Sequence, residues 1–230
     1  MRILPFLLLS VSVLFAPGLQ AGEPSEAELE AWLESDDPMP PSVSTDGVNE
    51  GKLVFLASPP NKKVHHHSNQ LVIDADSVQS GWIQIRQCHE NLDRVPRAQI
   101  LFNRERVRDI EILSSQNIEQ SWVEKNSVQL VNISDKALLC VKARSRALVA
   151  QKGGKFLLSS GPFMRRFLDG YYPMRVSMDV DFSNSGLQLV SVLPLDQQGF
   201  EIQRRQGHII FNALFEGQLR TKLMFTGKTL

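Results

Sequence analysis

Three consecutive histidines, His65, His66 and His67, are the residues of this 230-residue chain whose type and spacing point most directly to chemistry. On a β-strand, alternate side chains share a face, so His65 and His67 can present two imidazoles to one metal ion while His66 points away. His89 or His208 supplies a third ligand if the fold brings it near, and imidazole donors suit Zn²⁺ or Cu²⁺. No complete ligand spacing follows the run, so a polar strand end beside a turn is the ordinary alternative. The sequence therefore offers His65, His67 and His89 as a candidate metal site and leaves both interpretations open.

A second candidate site is the segment 161–173, which follows shortly after the expected break between the two halves of the chain and has the sequence GPFMRRFLDGYYP. Arginine beside aromatic residues is typical of interaction hot spots, because it combines apolar area with directional donors. The alternative is a bent linker in which Phe163 and Phe167 seal the interface between the halves. The segment predicts a surface that binds an envelope protein, a glycan or a lipid headgroup. Its candidate residues are Phe163, Arg165, Arg166, Phe167, Tyr171 and Tyr172.

Familiar catalytic signatures are absent from the sequence. It contains no Gly-x-Ser-x-Gly elbow, no His-Glu-x-x-His and no Gly-x-x-x-x-Gly-Lys phosphate loop. A triad of serine, histidine and acid can be assembled on paper from distant residues of any chain this size, so residue types alone support none. We therefore assign no catalytic residues, favour a non-catalytic role and leave enzymatic activity undecided.

The N-terminus has the organisation of a secretory signal peptide. Arg2 precedes an apolar stretch, residues 3–16, and Pro17 and Gly18 end this stretch before the small residue Ala21. The stretch is shorter than the roughly 18–20 residues that span a bilayer, which disfavours an uncleaved anchor. We expect cleavage after residue 21, a mature chain without a transmembrane segment, and a location in the periplasm or outside the cell.

Charge is distributed unevenly although the chain has 25 basic and 25 acidic side chains in total. Residues 22–50 contain nine acidic residues and no lysine or arginine, so the basic excess lies in residues 51–230. Within this acidic leader, a capping-box pattern at Ser25 and Glu28 predicts a short helix, and a proline-rich linker follows it. The balanced total gives no compositional reason to expect a nucleic-acid partner.

After residue 51 the apolar residues form short runs with a period near two, bounded by turn residues. No convincing helix separates these runs, so the pattern predicts an all-β chain of antiparallel, sandwich-like modules. The turn residues Gly153 and Gly154 suggest a division into residues 51–150 and 151–230. The clearest alternation follows this break, in the segments 175–182 and 209–225.

Cys88 and Cys140 are the two cysteines of the chain, and both fall in predicted strands. Export would place them where disulfides persist, and no tight Cys-x-x-Cys turn suggests a redox pair. We therefore predict a structural disulfide between them.

These patterns support three hypotheses of different kinds. The first is a non-catalytic, exported β-rich protein that binds a partner of the cell envelope. The second is a metal-binding protein or metal-dependent hydrolase that uses the His65 and His67 cluster. The third is a periplasmic chaperone or assembly factor that offers a sheet edge to a client strand.

Overall fold

The computed structural model describes residue 49 and residues 51–61, 63–167 and 170–227. The predicted signal peptide and nearly all of the acidic leader, including its expected helix, lie outside the described residues. One short helix, α1 (Ala75–Ser80), and fifteen strands make up the described part. The strands are β1 Val54–Phe55, β2 His66–Val72, β3 Trp82–Leu92, β4 Arg97–Leu101, β5 Val107–Glu124, β6 Ser127–Arg146, β7 Leu148–Gln151, β8 Lys155–Phe163, β9 Arg165–Phe167, β10 Gly170–Tyr172, β11 Met174–Asp181, β12 Leu187–Leu193, β13 Phe200–Arg205, β14 His208–Glu216 and β15 Leu219–Gly227.

The strands form two main sheets and one separate hairpin. In the nine-stranded sheet the order is β1-β14-β11-β2-β3-β6-β4, with β13 also paired to β14 and β5 also paired to β6. The four-stranded sheet has the order β12-β15-β8-β7, and β9 with β10 forms the hairpin. The prediction of an all-β fold built from antiparallel sheets is confirmed. No helix among the described residues is long and apolar enough to cross a membrane.

One pair of neighbouring strands is parallel, which the sequence pattern did not predict. Strand β2 lies parallel to β11, with His67 opposite Val176 and Leu71 opposite Val180. A parallel pair needs a long crossover connection, and a helix usually supplies it. Here the eight strands β3 to β10 lie between the two in sequence and take the place of such a helix.

Both halves of the chain contribute to both main sheets. Residues 51–150 supply β1 to β6 of the large sheet, and residues 151–230 supply β11, β13 and β14. In the small sheet, β7 runs across the expected break, from Leu148 to Gln151, and pairs with β8. Gly153 and Gly154 lie in the turn between these two strands, both with positive φ. The described residues from 49 onward belong to one compact unit.

The main hydrophobic core lies between the two sheets. The alternation predicted in β11, β14 and β15 directs one face of each strand inward, so Val176, Phe211 and Phe225 are fully buried. Phe182, at the end of β11, packs edge-on against Phe225 of the opposite sheet, with ring centroids 5.2 Å apart. Residues from both sheets belong to this single cluster, which gives the described chain a sandwich-like organisation.

Strands β5 and β6 form a hairpin of 18 and 20 residues. Strand β6 is continuous over two apolar runs, 127–133 and 138–143. A bulge separates the two runs: the register with β5 shifts between Gln116 and Ile118, and Asn132 and Lys136 have positive φ. A second core cluster, which includes Val128, packs along this hairpin.

Candidate functional site

The predicted binding segment forms the small hairpin of β9 and β10. Arg165 is paired with Tyr172 and Arg166 with Tyr171, so each arginine faces an aromatic residue across the hairpin. The Arg165 guanidinium lies 5.0 Å from the centre of the Phe167 ring and 5.4 Å from that of Tyr172, and Arg166 lies 5.4 Å from that of Tyr171. The structure thus gathers five of the six predicted residues into one interleaved group.

The base of the hairpin is held by polar contacts with the body. Arg165 donates two hydrogen bonds to the Asp93 carboxylate, from Nη2 at 2.6 Å and from Nε at 3.1 Å. This forked geometry fixes the orientation of the guanidinium as well as its position. On the other strand, Gln218 Nε2 donates to the Tyr171 hydroxyl at 2.8 Å. The hairpin is therefore oriented before any partner arrives.

The hairpin and the residue just before it expose apolar side chains. Met164 is 42% exposed and Phe167 is 40% exposed, and Arg166 is exposed beside them. Phe163 differs, because it is buried in the main core at the end of β8. The linker interpretation therefore describes Phe163, which packs between the sheets, but it does not describe Phe167.

The three histidines proposed as metal ligands lie together on the inner side of the large sheet. His65 and His67 lie on the same face, and the register of β2 with β3 places His67 directly opposite His89. The ring centroids of His67 and His89 are 4.2 Å apart, and His65 Nε2 lies 3.1 Å from His89 Nδ1. His208 is elsewhere, beside Asp179 and Asp181.

The arrangement of these rings is a stack. The planes of His67 and His89 differ by 21° and those of His65 and His67 by 7°. An imidazole nitrogen binds a metal through a lone pair in the ring plane, so nearly parallel rings do not direct their nitrogens to one point. Among the described residues, no group of three or more His, Cys, Asp or Glu side chains is arranged to hold a metal ion. A shared metal would require at least one ring to turn, and the metal site stays a prediction.

Burial disfavours protonation throughout the stack. It lowers the pKa of His65 to about 4, which the Asp93 carboxylate opposes and the Arg165 guanidinium reinforces, and it lowers the pKa of His89 to about 3. It also holds the pKa of His67 well below the usual value, and the neighbouring histidines lower it further. Nε2 of His67 and Nε2 of His89 are buried without a hydrogen-bond partner. The stack is therefore neutral near pH 7.

The disulfide predicted from the sequence is confirmed. Cys88 of β3 and Cys140 of β6 are direct cross-strand partners, with Cα atoms 4.1 Å apart and the sulfur atoms bonded. The bridge joins two adjacent strands on the outer face of the large sheet, opposite the side on which His89 lies.

A third group of polar residues, which sequence reasoning missed, lies on that outer face. It runs across four neighbouring strands as Glu90, His66, Ser177 and Asn212, and we call it the polar row. His66 Nε2 lies 2.8 Å from Ser177 Oγ, Ser177 Oγ lies 2.7 Å from Asn212 Oδ1, and His66 Nδ1 lies 3.6 Å from Glu90 Oε1. Burial lowers the pKa of His66, with Glu90 opposing this effect and Arg175 adding to it.

A cavity of about 770 Å³ lies beside the polar row. His66, Glu90, Arg175 and Asn212 line it on the sheet side, and the segment 56–64 contributes Leu56, Pro59 and Pro60. The sequence signalled only that His66 points away from its neighbours. Pairing of β2 with β11, between residues more than a hundred positions apart, is what places Ser177 beside it.

Comparisons with known proteins identify no family. Neither a scan against protein-family models nor a sequence comparison with curated proteins gives a match. Among solved structures, an M1 zinc metallopeptidase mutant from Deinococcus radiodurans bound to a Tyr-Ser-Ala substrate is 11% identical, with a TM-score of 0.37 over 71% of this chain and 42% of that one. A two-domain M1 zinc metallopeptidase mutant bound to L-tryptophan is 11% identical, with a TM-score of 0.35 over 78% and 44%. The matches span less than half of those chains, and similarity this low carries no argument about function.

Proposed function

We propose that the chain is an exported protein of the cell envelope that binds a partner through the β9–β10 hairpin. The observation that carries this proposal is the fixed arginine–aromatic hairpin, with Phe167 and Met164 exposed beside Arg166. Partners bind rigid side chains more favourably than flexible ones, because less conformational entropy is lost on association. The Arg165–Asp93 fork supplies this rigidity.

The chemistry of the exposed residues favours a protein partner. Aromatic residues, methionine and arginine are enriched at protein interfaces, and such anchors fill desolvated pockets on the partner. Phe167 and Met164 require an apolar pocket, and Arg166 requires a carboxylate beside it. A glycan or a lipid headgroup is the alternative ligand, and the crosslinking experiment below distinguishes a protein partner from these two.

Export is supported from two directions. The N-terminal pattern of Arg2, an apolar stretch and Ala21 predicts a cleaved signal peptide. The Cys88–Cys140 disulfide is of the kind that persists in oxidising compartments. Fractionation of cells that express the full chain, with N-terminal sequencing of the mature protein, tests the location and the cleavage after residue 21.

Binding is tested by placing a photo-crosslinking amino acid at position 166 of the full-length protein in cells. We expect a discrete crosslinked protein that is lost when Phe167→Ala and Met164→Ala are combined. A matched control combines Leu193→Ala and Val190→Ala, which remove exposed apolar side chains on β12, far along the chain from the hairpin. Crosslinking that survives the hairpin variant, or that reaches only lipid or glycan, would contradict a protein partner at this site.

A second candidate function is strand addition at β12, as in an assembly factor. Among the described strands β12 pairs only with β15, so its outer edge is open, and Val190 and Leu193 are 56% and 51% exposed. A groove of about 610 Å³ runs beside this edge, with Arg204 on its other side. An extended, acidic client segment fits such an edge. A bulge between Leu189 and Ser191 limits the length that a client strand can pair with, which makes this the weaker candidate.

The edge is tested by Val190→Lys, since a charge on an edge strand opposes pairing with another strand. We expect loss of client binding with the hairpin crosslink retained. Unchanged client binding in this variant would exclude β12 as the docking edge.

A further inference from the structure

The polar row has the contacts of a nucleophile, a base and an orienting acid. In Ser177–His66–Glu90 the hydroxyl oxygen lies 2.8 Å from one imidazole nitrogen, and the other nitrogen faces a carboxylate at 3.6 Å. These are the relations by which a serine nucleophile is recognised on unrelated folds, in which chain order and local sequence differ. The absence of a linear sequence signature therefore does not bear on this arrangement.

The position of the protons follows from counting donors and acceptors. If Ser177 donates its single proton to Asn212 Oδ1, then His66 Nε2 must donate to Ser177, and the His66 Nδ1 lone pair faces the Glu90 carboxylate. In that arrangement two hydrogen-bond acceptors, His66 Nδ1 and the Glu90 carboxylate, face each other with no proton between them. Turning the Asn212 amide by 180° removes the conflict, because Asn212 Nδ2 then donates to Ser177 Oγ, Ser177 donates to His66 Nε2, and His66 Nδ1–H points toward Glu90. Both contacts of Ser177 are then satisfied, with the serine proton directed at the base, and His66 Nδ1–H faces Glu90 Oε1 at 3.6 Å, which is longer than a hydrogen bond.

A cavity adjoins the row at His66, Glu90 and Asn212, and Ser177 lies behind this lining, in contact with His66 and Asn212. Leu56, Pro59 and Pro60 form an apolar wall, and His66, Arg175 and Asn212 line the sheet side. Arg175 precedes Ser177 by two residues in β11, so both side chains lie on the outer face. Arg175 and Asn212 supply N–H donors for the negative charge that forms on a carbonyl oxygen when a nucleophile attacks it.

We propose that Ser177, His66 and Glu90 form a catalytic site for the hydrolysis of carboxylic esters. Ser177 Oγ attacks the acyl carbon, and its proton passes to His66 Nε2. The bond from the acyl carbon to the alcohol oxygen then breaks, and His66 gives the proton to the departing alcohol. Water then adds to the acyl carbon while His66 takes its proton. The bond from the acyl carbon to Ser177 Oγ breaks, and His66 returns the proton to Oγ as the carboxylic acid leaves. Glu90 is a positioning residue that holds the His66 tautomer.

This activity goes beyond the binding role proposed above and does not depend on it. The polar row lies on the outer face of the large sheet, and none of its residues belongs to the β9–β10 hairpin. Failure of the crosslinking experiment therefore leaves the catalytic proposal in place, and the reverse also holds.

The nucleophile is tested by reacting the purified full-length protein with a fluorophosphonate and locating the adduct by mass spectrometry. We expect one adduct, on Ser177, that is absent in Ser177→Ala and in His66→Ala. Ser68→Ala is the matched control, because Ser68 is the direct partner of Ser177 on β2 and lies on the same face. No adduct on the unmodified chain, or an adduct that persists in Ser177→Ala, would overturn the proposal.

The reaction is tested with p-nitrophenyl acetate as the substrate. Loss of a positioned base lowers rates by about 10²–10⁴-fold, so we expect a fall of about 100-fold or more in Ser177→Ala and His66→Ala, with Ser68→Ala unchanged. Glu90→Gln should lower kcat with little change in KM, and Glu90→Asp should restore part of it. Thermal melting of each variant identifies any that fail to fold. Equal hydrolysis by the unmodified chain and the folded Ser177→Ala variant would refute the activity.

Discussion

At the scale of single residues, the histidines His65, His67 and His89 form a stack whose rings contact one another. Two of their nitrogens are buried without a hydrogen-bond partner, which normally costs stability. The rings recover part of this cost through contact, because His67 also packs edge-on against Phe163 at 5.3 Å. The stack therefore resembles a small aromatic core more than a solvated polar cluster.

The stack predicts that the protein becomes less stable in mild acid. Above about pH 6.5 these imidazoles are neutral in both the folded and the unfolded chain, and pH has no effect through them. As the pH falls below 6.5 the unfolded chain binds protons that the folded chain refuses until about pH 4 for His65 and about pH 3 for His89, so the free energy of unfolding decreases. Each such histidine costs about 2 kcal/mol by pH 5, since one pKa unit corresponds to about 1.4 kcal/mol.

Urea unfolding at pH 7.5, 6 and 5 measures this dependence. His89→Phe keeps an aromatic ring in the stack and removes one titrating group, so its stability should fall less between pH 7.5 and 5 than that of the unmodified chain. A slope equal to that of the unmodified chain would show that His89 does not resist protonation in the fold.

At the scale of elements, the β9–β10 hairpin depends on the ion pair between Arg165 and Asp93. The two side chains are 22% and 38% exposed and form a forked contact. Partly exposed pairs are worth at most about 1 kcal/mol, so Asp93→Ala should lower global stability only slightly. The larger expected effect is local, as faster hydrogen exchange at the backbone amides of β9 and β10.

Hydrogen exchange followed by mass spectrometry measures that local effect. Glu111→Ala is the matched control, because it breaks the Lys142–Glu111 pair, whose side chains are 52% and 60% exposed and lie outside the hairpin. Equal exchange in β9 and β10 for the Asp93 variant and the control would mean that the ion pair does not order the hairpin.

The disulfide ties two further elements, β3 and β6, across a sequence separation of 52 residues. A cross-link over a loop of that length restricts the unfolded chain and contributes about 4 kcal/mol in the chain-entropy treatment. We expect Cys88→Ala combined with Cys140→Ala to lower the free energy of unfolding by an amount of that order in oxidising buffer. Under reducing conditions the variant and the unmodified chain should differ less in free energy of unfolding. An unchanged difference would show that side-chain packing, and not the cross-link, causes the effect.

At the scale of the whole molecule, the halves 51–150 and 151–230 each contribute strands to both main sheets. β2 depends on β11, and β7 depends on β8, so the main core needs residues of both halves, whereas the second core cluster lies within residues 51–150. We expect a single unfolding transition that is seen equally by circular dichroism and by tryptophan fluorescence. The fragment 51–150 alone should not give a cooperative transition, and two separate transitions in the full chain would contradict this interdependence.

The sequence by itself determined the parts of this protein that depend on local alternation. Strands β11, β14 and β15 were predicted with the correct inward faces, because a period of two assigns each side chain to a face before any partner is known. The same rule placed His65 and His67 on one side and His66 on the other. Residues outside the described part, including the predicted signal peptide, keep their sequence-based interpretation.

Only the tertiary structure decided which strands are neighbours. The alternation at Phe200 and Ile202 is too short to predict strand β13 from the sequence. Pairing with β14 is what makes this segment a strand. Insertion of β2 between β3 and β11 sets His67 against His89 on the inner face and His66 between Glu90 and Ser177 on the outer face. Strand register is fixed by the burial of whole sheet faces, which involves residues far apart in the chain. The local residue pattern of one strand therefore does not identify its partner strand.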